Sequence, residues 1–354
     1  MHLSRLSLAN LRNLHPARLA FDPRLNLIVG PNASGKTSLL EAIYLLGRAQ
    51  SFRTSHPRPL IQSGQSALTV SGCLLVDGRE HRLGIGFEGV RRRLRLDGRE
   101  LDARAELLRL MPVRIIDPTL YDLPETSPHR RRRFLDWGVF YFDPDYLPAW
   151  RAYRRALQQR NAALKAGDAE GAALWGQSLG KYGKMVSRSR QRYLQVFAAR
   201  LAPLAEKLGL GKEAGIRYLP GWRADADLDT VLREDLPRDL RHGCTHSGPH
   251  RDDFRIAIEG HDVRQRLSRG QMKLLAHALI SIQGTLLERP GILLIDDLAS
   301  ELDQENQALL SELSVQTQEQ IFITATRPAA LTALTSHPHR MFHVEHGRIS
   351  PAEP

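Results

Sequence analysis

At 354 residues the chain is long enough for two or three domains, and 42% apolar with 25% charged residues is ordinary for a globular protein. Its 50 Lys and Arg against 39 Asp and Glu leave a net charge of +11, which favours a polyanionic partner, nucleic acid ahead of a membrane surface. No apolar run reaches the ~18 residues of a membrane span, Arg5 and Arg12 interrupt any signal-peptide core, and Cys73 and Cys244 cannot make a disulfide framework. A cytoplasmic protein without a membrane partner is expected.

Residues 2–9 alternate polar and apolar and predict a half-buried strand; residues 17–21 predict a second. Asp22 and Pro23 turn the chain into the apolar run 25–29, suited to a buried strand. Gly30, Pro31, Asn32, Ala33, Ser34, Gly35, Lys36 and Thr37 then match G-x-x-x-x-G-K-[ST], and residues 37–46 carry apolar side chains at helical spacing. Strand, glycine-bearing turn and helix form the context in which this pattern binds a nucleoside triphosphate. Gly30 and Gly35 let backbone N–H groups curl toward an anion, and the helix start adds its positive dipole end. Lys36 is expected to reach the β- and γ-phosphates, and the Thr37 hydroxyl to ligate Mg²⁺.

Residues 53–60 read as a loop. Residues 67–76 and 81–87 flank Asp77-Gly78, and 91–96 end at Asp97-Gly98, which predicts antiparallel hairpins on one side of the P-loop core. Arg91, Arg93 and Arg95 share one strand face, either a phosphate-contacting ridge or, the reading we favour, a solvated edge that resists aggregation. Residues 112–116 predict another buried strand. From Ser127, a helix N-cap before Pro128, the pattern turns helical. Arg130 to Arg133 follow, and residues 147–165 and 172–208 predict a helical arm of roughly 30–50 Å. Lys181, Lys184, Arg188, Arg190 and Arg192 leave a basic flank on it. His242, His246, His250, Asp252 and Asp253 suggest a metal site on paper, but Gly248-Pro249 breaks the helix that such spacing needs. A turn and a return to the sheet at 254–258 is the expectation there.

Ser268 is a good N-cap for a helix over 272–283, and a serine at a helix start makes an anion receptor. The apolar run 292–295 predicts a buried strand that ends in Asp296, an acid placed to hold Mg²⁺ through water. Asp297 follows, placed to orient or deprotonate the attacking water.

Leu267-Ser268-Arg269-Gly270-Gln271 upstream of Leu294-Ile295-Asp296-Asp297, with Asp303 beyond, resembles the ABC-type ATPase cassette shared by transporters and SMC proteins. That resemblance implies two ATP molecules sandwiched in a head-to-tail homodimer, with Ser268, Gly270 and Gln271 at the signature positions that meet the partner's γ-phosphate. Asp303 matches the aspartate near the dimer contact. The segments around 8–13, 29–44 and 51–54, together with 131–138, 159–164, 247–251, 267–275 and 294–303, are similar to the RecF family of bacterial recombination and gap-repair ATPases. The family implies an α/β fold: an ABC-type P-loop head, a mixed sheet with an antiparallel β subdomain (residues 1–118 and 240–354), plus an inserted α-helical arm (119–239). It also implies a DNA-binding ATPase at single-strand gaps and duplex junctions, with RecR and RecO as partners and RecA loading as the outcome. Replication and the SOS response are served by the same activity. Arg12 matches a family position near the nucleotide. Ala325 stands where transporter cassettes carry a switch histidine, so Thr324 or Thr326 is expected to sense the γ-phosphate. Asp297, shorter than the usual glutamate, points with this to slow ATP hydrolysis. The alternatives are the ATP-binding subunit of a membrane transporter and a structural chromosome clamp without useful hydrolysis.

Overall fold

The computed structural model describes residues 1–297, 306–307, 309–310 and 317–352. The chain divides into two compact units, residues 1–120 with 289–354, and residues 121–288. The division places 240–288 with the helices, where the sequence reading joins that stretch to the ATPase head.

Among the described residues the first unit holds two six-stranded sheets. One is antiparallel, in the order β2-β1-β4-β5-β6-β7: β1 (His2–Ala9), β2 (Ala17–Ala20), β4 (Ala67–Val76), β5 (Arg79–Glu88), β6 (Arg91–Leu96) and β7 (Arg99–Glu100). Its two tight turns are those marked by Asp-Gly: Asp77 and Gly78 have φ of 50° and 79°, and Asp97 and Gly98 have 51° and 85°. Paired positive φ gives the two-residue turn whose twist matches the strands. In β6, Leu94 and Leu96 are buried and the arginines exposed. Arg92 donates to the Ala49 carbonyl at 3.0 Å.

The second sheet runs β15-β14-β3-β13-β12-β8: β3 (Leu25–Val29), β8 (Val113–Ile116), β12 (Ile292–Ile295), β13 (Gln320–Ala325), β14 (Arg340–Glu345) and β15 (Arg348–Ala352). All neighbours are parallel except β14 and β15. Its central strands are buried along their whole length, which is why they read as unbroken apolar runs. Helix α1 (Lys36–Arg48) packs on β4 and β5 of one sheet and β8 and β13 of the other, so it is buried nearly all round. Gly47 permits this approach, since a Cβ there would lie 2.2 Å from Val113 Cγ2. The buried Gln320 amide ties the sheets together: it accepts the Leu3 N–H (2.7 Å) and donates to the Leu3 and Asp22 carbonyls (2.9 and 2.8 Å).

The first unit also carries the short α2 (Ala105–Leu110) and most of α3 (Pro118–Tyr121); in the second unit the main helices are α4 (Pro128–Phe142), α5 (Tyr146–Lys165) and α6 (Ala169–Lys207). Helices α5 and α6 pack along one another, and the 39 residues of α6 span about 58 Å, longer than the sequence pattern indicates. Next come α7 (Leu228–Glu234), α8 (Leu236–His242), α9 (Val263–Arg266) and α10 (Arg269–Thr285). The strand expected to return to the ATPase sheet, β10 (Asp253–Ile258), instead pairs with β9 (Ala214–Leu219) and β11 (His261–Asp262) in a separate three-stranded sheet. Strand β9 is only half-buried, so its apolar signal is too weak to mark this partner in advance. Among the described residues, no helix is long and apolar enough to cross a membrane.

Candidate nucleotide site

The P-loop follows β3, the strand flanked by β13 and β14, and leads into α1. Two glycines shape it. A Cβ at Gly30 would lie 2.1 Å from the Val344 carbonyl oxygen of β14. Gly35, the N-cap of α1, has φ 121°, and a Cβ there would meet Leu14 Cδ2 at 2.7 Å. The loop is pinned from outside by the Gly347 N–H on the Ser34 carbonyl (2.8 Å) and by Asn13, which donates to Ala33 O and accepts from Ser38 Oγ. Around it Asn13, Arg12, Arg53 and Gln62 join residues 33–38 in lining an open cavity of about 960 Å³.

Lys36 Nζ donates to the Gly30 and Pro31 carbonyls at 2.7 and 2.8 Å. Burial lowers its pKa, while the carboxylates of Asp297 and Asp296 pull the other way and favour the cation. Thr37 Oγ1 donates to Asp296, 3.1 and 3.0 Å from its two oxygens. Asp296 stands at the end of β12, its amide bonded to the Ile116 carbonyl of β8. Strand β13 lies between β3 and β12 and supplies the buried Thr324, whose hydroxyl donates to Asp296 Oδ1 (2.9 Å) and accepts the Asp297 N–H (2.8 Å). Thr326, just past β13, is exposed. Asp297 itself sits at φ 58°, a left-handed conformation uncommon for a side-chain-bearing residue.

The residues present fit a triphosphate with a divalent cation. Ser34 Oγ is buried with no hydrogen-bond partner among the described residues, a spare donor in the loop. Thr37 and Asp296 offer neighbouring oxygen donors of the kind Mg²⁺ takes, and Lys36 supplies the counter-charge.

Arg12, at φ 53°, makes a two-pronged pair with the fully buried Glu41 of α1 (Nε to Oε2 2.9 Å, Nη2 to Oε1 3.0 Å) and donates to Pro59 O. Ser51 Oγ also donates to Glu41, and Arg53 lies 3.8 Å from it. This buried carboxylate with its cations on the cavity wall is invisible to motif reading, because Arg12 and Glu41 are 29 residues apart. Gln50 accepts from Arg104 at 2.9 Å.

In the helical unit, Ser268 caps α10 with a reciprocal box. Its Oγ accepts the Gln271 N–H (3.3 Å) and Gln271 Oε1 accepts the Ser268 N–H (3.0 Å). Helix α10 therefore begins three residues before its apolar pattern does. Ser268 is exposed, and a Cβ at Gly270 would meet only open space. Asp303 lies outside the described residues.

The His242–Asp253 stretch is a structural network. His246 Nδ1 pairs with the buried Asp239 (2.8 Å), and Asp239 also holds Arg160 (2.7 Å). Asp252 accepts from Arg190 (2.8 Å), Tyr218 OH and the Gly221 N–H; Asp253 pairs with Arg131. Arg190 reaches Asp136 as well, at 2.7 Å. His250 is held by Tyr153 OH (2.6 Å) and Thr245 O (3.1 Å), and burial lowers its pKa to about 4. Among the described residues no cluster of His, Cys, Asp and Glu could hold a metal ion.

A glycine-bent loop on a buried parallel strand, with an acid two strands away bonded to the P-loop threonine, defines a P-loop nucleotide-binding head. The family described as RecF/RecN/SMC N terminal domain matches residues 2–350. The chain is 40% identical over 364 residues to the DNA replication and repair protein RecF of Pseudomonas paraeruginosa, covering 99% of this chain and 98% of the relative. It is 41% identical over 363 residues to RecF of Azotobacter vinelandii, with the same coverage. Among solved structures it is similar to the recombination mediator protein RecF-ATP in the RecFOR pathway, with TM-score 0.88 and 27% identity over 99% of this chain and 98% of that one. A Pyrococcus yayanosii Smc head, at TM-score 0.61 and 14% identity, shares the fold. This chain belongs to the RecF family of DNA replication and repair proteins, an ABC-type ATPase family. None of these matches favours the transporter subunit.

Proposed function

We propose that the chain is an ATP-dependent DNA-binding ATPase that dimerises head to tail around ATP at single-strand/duplex junctions. There it works in the cytoplasm with RecO and RecR to promote RecA loading during gap repair, replication and the SOS response. The observation that carries the nucleotide reading is the Thr37 hydroxyl bonded to Asp296 below the P-loop. The backbone N–H groups of Gly30 and of residues 32–35 would cradle the phosphates, with Lys36 neutralising them and Ser34 Oγ donating. Thr37 and Asp296 would hold Mg²⁺, which supplies charge neutralisation at the phosphates. Asp297 would orient water for a slow hydrolysis, and Arg12 would face the nucleotide from the cavity wall. Each protomer is read as incomplete: Ser268, Gly270, Gln271 and Asp303 of one copy would finish the pocket of the other, so that closure and γ-phosphate depend on each other.

Sedimentation with and without ATP tests this, beside phosphate release and gel binding to gapped DNA. Lys36→Arg should abolish ATP-driven dimerisation, whereas Asp297→Asn should dimerise and stall turnover. DNA affinity should fall steeply with salt, since phosphate contacts release counterions. If both variants dimerise like the wild type, the shared pocket is wrong. Nucleotide binding without any phosphate release would leave the chromosome clamp standing.

A further inference from the structure

The helical unit holds a second cavity, of about 770 Å³, between α5, α6 and α7. Its walls are largely apolar: Ala172 and Met185 from α6, Leu232 from α7 and Leu236 at the start of α8. Its rim is cationic. Lys184 meets Asp227 and Asp229, but Lys181, Arg188 and Arg233 have no carboxylate partner among the described residues.

Arg160 of α5 closes one side of the cavity with its side chain 1% exposed. Its Nη1 donates to Asp239 and Thr245, and its Nη2 to Leu232 O. Its Nε–H has no acceptor among the described residues, an unusual omission for a buried charged donor. Opposite stands Gly176 of α6, also on the cavity wall. A Cβ there would lie 3.7 Å from Arg160 Nε, an ordinary contact. Packing therefore admits an alanine, yet the helix carries a glycine at a cost of about 1 kcal/mol. What the glycine preserves is cavity space beside Arg160, whose Nε is itself sealed from solvent.

We propose that this cavity docks an acidic peptide segment of a partner protein. A carboxylate is taken by the basic rim of Lys181, Arg188 and Arg233, and a neighbouring apolar side chain enters between Met185, Leu232 and Leu236. A protein segment fits better than nucleic acid, because no aromatic platform lines the cavity for base stacking. Met185 on the cavity wall is 41% exposed, one of the four exposed large apolar side chains among the described residues. Exposed apolar groups beside unpaired cations suit an amphipathic acidic chain. The site lies wholly within the helical unit, so it stands or falls apart from the nucleotide site.

The test is fluorescence anisotropy with the full chain and a short fluorescein-labelled peptide alternating Asp and Leu. The Asn-Leu counterpart, inorganic phosphate and a single-stranded oligonucleotide serve as comparisons. The Asp-Leu peptide should bind and the Asn-Leu peptide should not. Gly176→Leu, which fills that space, should weaken binding at least about tenfold, Gly176→Ala and Arg188→Glu less, with thermal melting no lower than the wild type's. Equal binding of the Asn-Leu peptide, or indifference to both Gly176 variants, overturns the proposal. Displacement of the peptide by phosphate at similar concentration would make this a free-anion site, and displacement by the oligonucleotide a nucleic-acid site; either result also overturns it.

Discussion

Thr324 and Asp296 sit side by side on adjacent parallel strands, the threonine hydroxyl 2.9 Å from the carboxylate. The same hydroxyl accepts the Asp297 amide, so one buried side chain fixes both acids. Thr324→Val keeps the shape and removes both bonds. It should lower stability by about 1–3 kcal/mol and reduce phosphate release at least about tenfold, whereas Thr326→Val at an exposed position should change neither. Urea denaturation and single-turnover phosphate release would measure this.

Arg12→Ala strips the main cation from a fully buried Glu41, with Arg53 only a distant substitute at 3.8 Å. An uncompensated buried carboxylate typically costs 3–5 kcal/mol; with Arg12 partly exposed, about 2–4 is expected. Arg12→Ala with Glu41→Gln should recover part of that loss in a urea midpoint, which a purely nucleotide-contacting Arg12 would not show.

Ser268→Ala removes one half of the reciprocal cap on α10, a loss of about 1 kcal/mol. Ser268→Thr keeps a capping hydroxyl and should restore the helix. If Ser268 also meets a partner's phosphate, ATP-driven dimerisation should fail in the alanine variant beyond what melting of α10 explains, read by sedimentation and amide exchange.

A half-buried and a fully buried histidine, His250 and His277, should make the protein acid-sensitive. Burial lowers His250 to about 4 and, with Lys273 adding repulsion, His277 to about 3, both below the unfolded value of 6.5. Above pH 6.5 both states are neutral. As pH falls below that, the unfolded chain takes up protons that the folded one refuses, so stability drops with falling pH. At about pH 5 each histidine should contribute a loss on the order of 2 kcal/mol. Urea midpoints between pH 7 and 5 should show the slope, and His277→Leu should make it shallower.

The sequence by itself determined the P-loop and its flanks, the Asp296-Asp297 pair, both Asp-Gly hairpins and the Ser268 cap. Each is written within about two dozen consecutive residues, where glycine freedom, strand burial and capping act locally. It also carried enough family likeness to indicate the ATPase head. Tertiary structure alone decided that β13 stands between β3 and β12, and hence that Thr324 rather than Thr326 meets Asp296. It likewise decided that Glu41 binds Arg12, and that β10 leaves the main sheet for β9. Strand order in a parallel sheet is set by crossovers and shared burial among apolar strands that look alike in sequence, so no local pattern says which neighbour wins. The buried ion pairs follow the same rule: Arg160 with Asp239 and Arg190 with Asp252 join residues 79 and 62 apart, whose complementarity exists only once the helices have packed.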